Sequence, residues 1–270
     1  MPTAERATPP VVELVIGVQF SPLTKLSAGH YGRFWDELGD DWDRPADQPI
    51  VDDQFELFDQ PQWHSSAGLH FRLEPVRLPG RFLVYHRGGD RLIQLQPSRF
   101  HLNWRKAGAF YPSYTSLVAE FMDAYQRFER FVSGQQVGPL LPNQWEMTYI
   151  DAFPKGEHWR TPADWPAVLP GLFGQLFPTD GLNLALERRT AEWSFEIAPR
   201  QGRLHIAAAA GPWGGQDCLL LTSTARGPVA GDPPDAAAVR RGLDIGHTAA
   251  VGAFKRLVAN DLRANWGESE

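Results

Sequence analysis

The sequence predicts an α+β fold of two similar halves, each running strand, helix, three or four antiparallel strands, long helix. Three observations predict it. Short segments such as RFLVYHR at 81–87 and EWSFEIA at 192–198 alternate apolar and polar residues at the two-residue period of a half-buried strand. Two longer segments repeat apolar residues at three- and four-residue steps, the period of a helix lying on a core. The succession then restarts after a linker-like stretch, SGQQVGPLLPNQ at 133–144.

VVELVIGVQF at 11–20 reads as the first strand, stopped by Pro22. Leu26, His30, Phe34 and Leu38 recur at helical spacing, so about 24–39 is a helix. Residues 36–59 hold ten Asp or Glu against Arg44, and with Pro45 and Pro49 they read mostly as loop. A strand series follows: LHFRLEP at 69–75, RFLVYHR at 81–87, and RLIQLQ at 91–96 continuing as RFHLNWRK at 99–106. Gly88-Gly89-Asp90 marks a hairpin within it. Tyr114, Leu117, Val118, Phe121, Tyr125, Phe128 and Val132 stripe a long helix, with Pro112 at its start and Gly134 at its end. WEMTYIDAF at 145–153 opens the second half as a strand, and a short helix falls at about 163–177. LNLALERR at 182–189, EWSFEIA at 192–198, RLHIAAAA at 203–210 and CLLLTST at 218–224 are its further strands. Pro233-Pro234-Asp235 opens a last helix of about 30 residues, roughly 45 Å long.

The halves divide at 1–140 and 141–270 and read as one compact unit. Glu13/Glu146 and Phe20/Phe153 are both 133 residues apart, and Asp90-Arg91-Leu92 precedes Asp217-Cys218-Leu219 by 127. A structural duplication accounts for these offsets. The element order matches the saddle of the TATA-box-binding-protein-like fold, an analogy of architecture that carries no function. The alternative is a single helix-grip domain, a curved sheet wrapped on its last helix.

Composition narrows the function classes without choosing one. The chain has 270 residues and net charge −6, which argues against a general binder of nucleic acid or anionic membranes. One cysteine, Cys218, excludes an internal disulfide framework and a thiolate zinc cluster. Its strand CLLLT makes it a small core residue rather than a nucleophile. The first ten residues, MPTAERATPP, lack a secretion-signal pattern, and no apolar run reaches the ~20 residues of a membrane span. The expectation is a cytoplasmic protein. Arg outnumbers Lys 22 to 4, as a GC-rich bacterial genome would give.

Several tracts carry a resemblance. They are VVELVIGVQFSPL at 11–23, GHYGRFW at 29–35, LIQLQPSRFHLNWRK at 92–106, YPSY at 111–114, WEMTYID at 145–151, DIGH at 244–247 and the WG at 266–267. Together they resemble a sporadically distributed bacterial family of uncharacterised proteins of similar length. The resemblance spans nearly the whole chain, is most specific in LIQLQPSRFHLNWRK and YPSY, and is poor over 40–68 and 154–181. It implies a bacterial, intracellular, single-unit protein, and no activity, cofactor or catalytic residue.

Catalytic signatures are absent. There is no G-x-S-x-G, H-E-x-x-H, Walker loop, C-x-x-C, or G-x-G-x-x-G before a helix. The eight histidines show no metal-ligand spacing, and the sequence predicts neither metal nor cofactor. His30 and His247 lie on the apolar stripes of the first and last helices, so both rings face packing surfaces. Each reads either as a neutral histidine bonded to a buried acceptor or as a general base in a cleft between helix and sheet.

The strands at 91–105 define a polar row. Phe100, Leu102 and Trp104 share one face, and Arg99, His101, Asn103 and Arg105 the other. Gln94 and Gln96 extend the row if Pro97-Ser98 leaves the register intact. Asn and Gln are poor strand formers, so such a row suits recognition of a polar ligand, a peptide backbone or phosphates. A solvated face with local ion pairs is the ordinary reading. Glu13 and Glu146 sit inside otherwise apolar strands and need partners if buried; inward arginines would serve.

Three functions remain open. The first is a non-enzymatic binding or interaction protein with a protein partner or polar small ligand. The sporadic occurrence suggests an accessory of a mobile or defence-type system. The second is an enzyme with an unfamiliar site around His30 or His247. The third is a nucleic-acid binder through 72–106, which carries eight Arg or Lys against Glu74 and Asp90. That third reading requires that the acidic 36–59 tract leave the basic tract uncovered. In the last helix, Gly242, Gly246, Ala249 and Ala253 form a smooth face. Helical glycine costs ~1 kcal/mol against alanine, so another element approaches closely there. The expected neighbour is the helix at 113–133, with a homodimer seam as the rival.

Overall fold

Ten residues with only Glu13 and Gln19 strongly polar, Val11–Phe20, form β1, and their burial on both faces places this strand at the centre of the sheet. The computed structural model describes residues 9–59, 80–108, 111–175 and 182–266. Helix α1 (Ala28–Leu38) and strand β2 (Trp42–Gln48) follow, then β3 (Arg81–His86), β4 (Arg91–Gln96), β5 (Arg99–Arg105) and helix α2 (Tyr114–Gly134). The chain continues with β6 (Pro142–Pro154), a 3-10 turn running into α3 (Trp165–Val168), β7 (Thr190–Ile197), β8 (Gly202–Trp213), β9 (Gln216–Pro228), α4 (Ala236–Leu257) and α5 (Asn260–Trp266). All the strands lie in one nine-stranded sheet, in the order β2-β3-β4-β5-β1-β6-β9-β8-β7. Every pairing is antiparallel.

The helices cover one face. Helix α4 packs on β6, β9 and β8, and α2 on β1 and β5. Leu14, Ile16, Val18 and Phe20 of β1 supply the buried centre. Phe100 of β5 stacks on Phe128 of α2 at 5.3 Å, and Phe34 of α1 meets the same ring edge-on. Ser113 caps α2 by accepting from Ser116 N at 3.2 Å, and Asp235 caps α4 by accepting from Ala238 N at 2.7 Å.

Several expectations are corrected. Segment 36–59 is not mostly loop up to residue 48, because WDRPADQ pairs with β3 as an edge strand that tolerates Pro45. Residues 99–105 do not continue β4: Pro97-Ser98 turns the chain back, and β5 pairs antiparallel with it. The alternating segment 182–189 has no strand partner among the described residues and leaves Leu182 and Leu184 exposed. Helix α3 is one turn long. The last helix is broken at Val258-Ala259 into α4 and α5. At its two glycines the smooth face of α4 meets the sheet. A Cβ on Gly242 would stand 2.1 Å from Trp145 Cδ1, and one on Gly246 2.7 Å from Trp145 Cζ3, so an indole of β6 is the close neighbour there in place of the expected helix α2. The strand expected at 69–75 lies outside the described residues.

Candidate functional site

The polar row sits on the face away from the helices. Gln94 pairs with His101 and Gln96 with Arg99, so the hairpin turn preserves their common face. All of these and Asn103 are buried, and only Arg105 is exposed. What buries one end of the row is the acidic segment that follows β2. It crosses the strand ends in spatial order. Val51 exchanges hydrogen bonds with the Gln96 amide at 3.1 and 2.8 Å. Asp53 accepts from Ser98 Oγ at 2.6 Å, and Arg99 donates to Asp52 O at 2.6 Å. Gln54 N then donates to Gln19 of β1, and Glu56 N to Gln144 of β6. The Glu56 carboxylate receives Arg226 of β9 at 3.1 Å, Arg203 of β8 at 3.0 Å and His205 at 2.8 Å. Asp59 ends the crossing on Arg200 at 2.7 Å.

Burial alone would push the Glu56 carboxyl up; the bonds from His205 and Arg203 and the nearby Arg226 outweigh it and hold it below its usual value. Glu146 is set the same way, with burial opposed by Arg226, His101 and Arg99. Glu13 meets Arg105 at 3.2 Å and accepts from Asn103 at 2.7 Å. Both strand glutamates therefore find arginine partners. His101 lies over Gly17, and burial lowers its pKa to about 4, so it is neutral.

The two histidines part ways. His30 Nδ1 lies 2.8 Å from Ser27 Oγ and closes a capping box at the start of α1, with Phe131 against its edge. His247 opens on a cavity of about 500 Å³ on the helix side of the sheet. This cavity is floored by β6 and β9 and walled by the start of α2, by α4 and by α5. The His247 ring stacks on Tyr114 at 3.8 Å and 3°, and its Nδ1 is 2.7 Å from Tyr149 Oη. Tyr149 is hydrogen-bonded in turn to Tyr111. Tyr114 donates to Asp244 at 2.7 Å, and Arg240 also holds that carboxylate. Burial pushes the three tyrosine hydroxyls up, Tyr111 to about 12, and lowers His247, so all four rings are neutral near pH 7.

Two polar groups on the floor have no partner among the described residues. Asp151 is 5% exposed, no donor reaches its carboxyl, and burial alone raises its pKa to about 8. Ser223 is 1% exposed and its hydroxyl is unbonded. Tyr149 pairs with Ser223 and Asp151 with Leu221, so Asp151 and Ser223 are diagonal neighbours on one face of the ladder. A buried polar group without a bond costs ~1–3 kcal/mol, and two at one cavity mark a place shaped for a missing partner.

Sequence reasoning reached His247 and missed Tyr111, Tyr114, Tyr149, Asp151 and Ser223. A signal was present: Asp151 shares strand parity with the buried Trp145, Met147 and Tyr149, unlike Glu146. The tracts YPSY, WEMTYID and DIGH all converge on this cavity. Among the described residues, no group of three His, Cys, Asp or Glu is placed to hold a metal ion, and no helix is long and apolar enough to cross a membrane. Compared with family models, curated proteins and solved structures, the chain matches none.

Proposed function

We propose that this is a non-catalytic binding protein of the bacterial cytoplasm that holds a small polar ligand in the cavity beneath His247. The unpartnered pair Asp151 and Ser223 carries this reading, because a ligand is what would satisfy both groups. The volume, about 500 Å³, falls within the usual range for small-molecule pockets. The reading moves the candidate ligand site from the polar row to the opposite face. The row serves instead as the seat of residues 51–59, whose acidic side chains pair with Arg99, Arg203 and Arg226. The buried thiol of Cys218 suits a reducing compartment.

We read the halves as copies of one unit. About the β1–β6 junction the strand order matches outward as β5/β9, β4/β8 and β3/β7, with β2 the one extra strand, and the ion pairs Glu13–Arg105 and Glu146–Arg226 occupy corresponding positions. Asp90 and Asp217 do not correspond, since β4 and β9 stand at different distances from the centre.

Native mass spectrometry of protein purified from its host tests the binding reading. The expected result is a stoichiometric small-molecule adduct, absent from a Val251→Trp variant that fills the cavity. Repeated recovery of bare protein would overturn it. One observation favours an enzyme instead, the His247–Tyr149 hydrogen bond facing open space. Return of the recovered molecule unchanged after prolonged incubation with the protein supports binding; conversion supports the enzyme.

A further inference from the structure

We propose that the ligand carries a protonated amine, seated between Asp151 and Ser223 and enclosed by the aromatic rings of the cavity. The inference rests on the small-ligand reading above and names its chemistry.

The floor offers a buried carboxyl, whose pKa burial alone shifts, and a buried hydroxyl with no bond among the described residues. An ammonium group donates to each from a single nitrogen. A carboxylate or phosphate would be repelled by Asp151 wherever that carboxyl is ionised, and a hydrocarbon would leave both oxygens unsatisfied. A calcium or magnesium ion asks for six or more oxygens, far more than this floor supplies. The walls agree. Tyr111, Tyr149, Phe254 and Trp266 line the space, and ring faces attract organic cations most strongly where water is absent. Arg240 is bound to Asp244, and among the described residues no cationic side chain pairs with Asp151.

The charges facing the site are few. Tyr149 and Asp151 come from β6, Tyr111 and Tyr114 from the start of α2, His247 and Lys255 from α4, and Arg263 from α5. The tyrosines and His247 are neutral near pH 7, so Asp151 is the group whose proton the amine displaces. Binding then releases a proton below pH 8, and affinity rises from pH 6.5 to about 8.

The test is a matched set of aryl-alkyl amines, amides and carboxylates, each of the same carbon skeleton, titrated by ligand-observed NMR and calorimetry against the full chain. The amines are expected to bind at least tenfold tighter than their amides and carboxylates, with proton uptake by the buffer. Asp151→Asn is expected to lose that preference while the amides bind as before, and Ser223→Ala to weaken the amines several-fold. Melting curves confirm that both variants fold. Equal or tighter binding of amides or carboxylates overturns the amine and leaves the small-ligand reading standing. Binding by none of the three classes overturns both.

Discussion

Gly242 of α4 lies directly over the Trp145 indole of β6, with room for a hydrogen and none for a methyl group: a Cβ there would stand 2.1 Å from Cδ1. This contact sets how closely the helix layer approaches the sheet, and so sets one wall of the cavity further along α4. The same helix carries Gly252, where a Cβ would meet nothing nearer than 3.5 Å. Alanine gains ~1 kcal/mol of helix propensity at either place. Gly252→Ala is therefore expected to stabilise by up to ~1 kcal/mol. Gly242→Ala is expected to destabilise by ~1–3 kcal/mol through overpacking. Urea unfolding of the two variants checks the opposed signs, and equal effects would refute the contact.

Glu56 anchors the acidic segment by holding Arg203, Arg226 and His205 at once, with its side chain 4% exposed. Removing one partner from a buried ion cluster leaves the others charged and unpaired, which costs ~3–5 kcal/mol. Glu56→Gln is expected to lose stability at pH 7 on that order and to speed proteolysis within 49–59. The Glu56 pKa is held below its usual value, so its contribution is present above the unfolded carboxylate range and fades as pH falls. The difference between wild type and variant should accordingly shrink in acid. If the variant also bound single-stranded nucleic acid with steep salt dependence, the covered face would have a second role.

How much of this was legible follows from what each segment meets. The alternation of Ile93 and Leu95 with Gln94 and Gln96 specifies a strand with two unlike faces, and the stripe from Leu117 to Val132 specifies α2, because both patterns answer to a core the sequence itself supplies. The polar row's parity was legible too. Its cover was not, because a strap is recognised by partners 35 or more residues away, although the opposed charges of 36–59 and 72–106 hinted at it. Strand β2 carries no apolar alternation because backbone bonds to β3 hold it at the sheet edge. Segment 182–189 alternates yet pairs with no strand among the described residues, so period alone does not make a ladder. The small-residue stripe of α4 announced a close approach, and only the fold could say that an indole makes it. At the cavity, His247 was visible on its helix, whereas Tyr111 and Ser223 lie in segments of ordinary composition.

His101 should make the protein acid-sensitive in a defined window. Burial is the main cause that lowers its pKa to about 4 from 6.5; Glu146 opposes, while Arg99, Arg81 and Arg226 add to it. Between those values the unfolded chain takes a proton that the folded one refuses. Stability is complete above pH 6.5 and falls as pH drops toward 4, by roughly 2–3 kcal/mol. His101→Gln removes the linkage. Its stability from pH 4.5 to 6.5 is expected to be flatter than wild type by that amount in denaturant titrations. Parallel curves would show that His101 protonates in place.

Asp151 has the opposite linkage. Its folded pKa of about 8 stands above the ordinary 3.8, so the folded protein binds a proton that the unfolded chain has already lost. The unfolded state is therefore favoured progressively as pH rises through that interval, and the full cost, on the order of 5 kcal/mol, is reached above pH 8. Asp151→Asn keeps the shape and abolishes the charge. At pH 3, where the carboxyl is largely protonated in both states, the variant is expected to melt within a degree or two of wild type. At pH 8 it should be more stable by several kcal/mol. A stabilised variant that has lost amine preference is the signature of a residue kept for its ligand at the expense of the fold. Loss of stability at pH 8 would instead mean that the carboxylate has a partner in the folded chain, and the case for an unsatisfied site would fall with it.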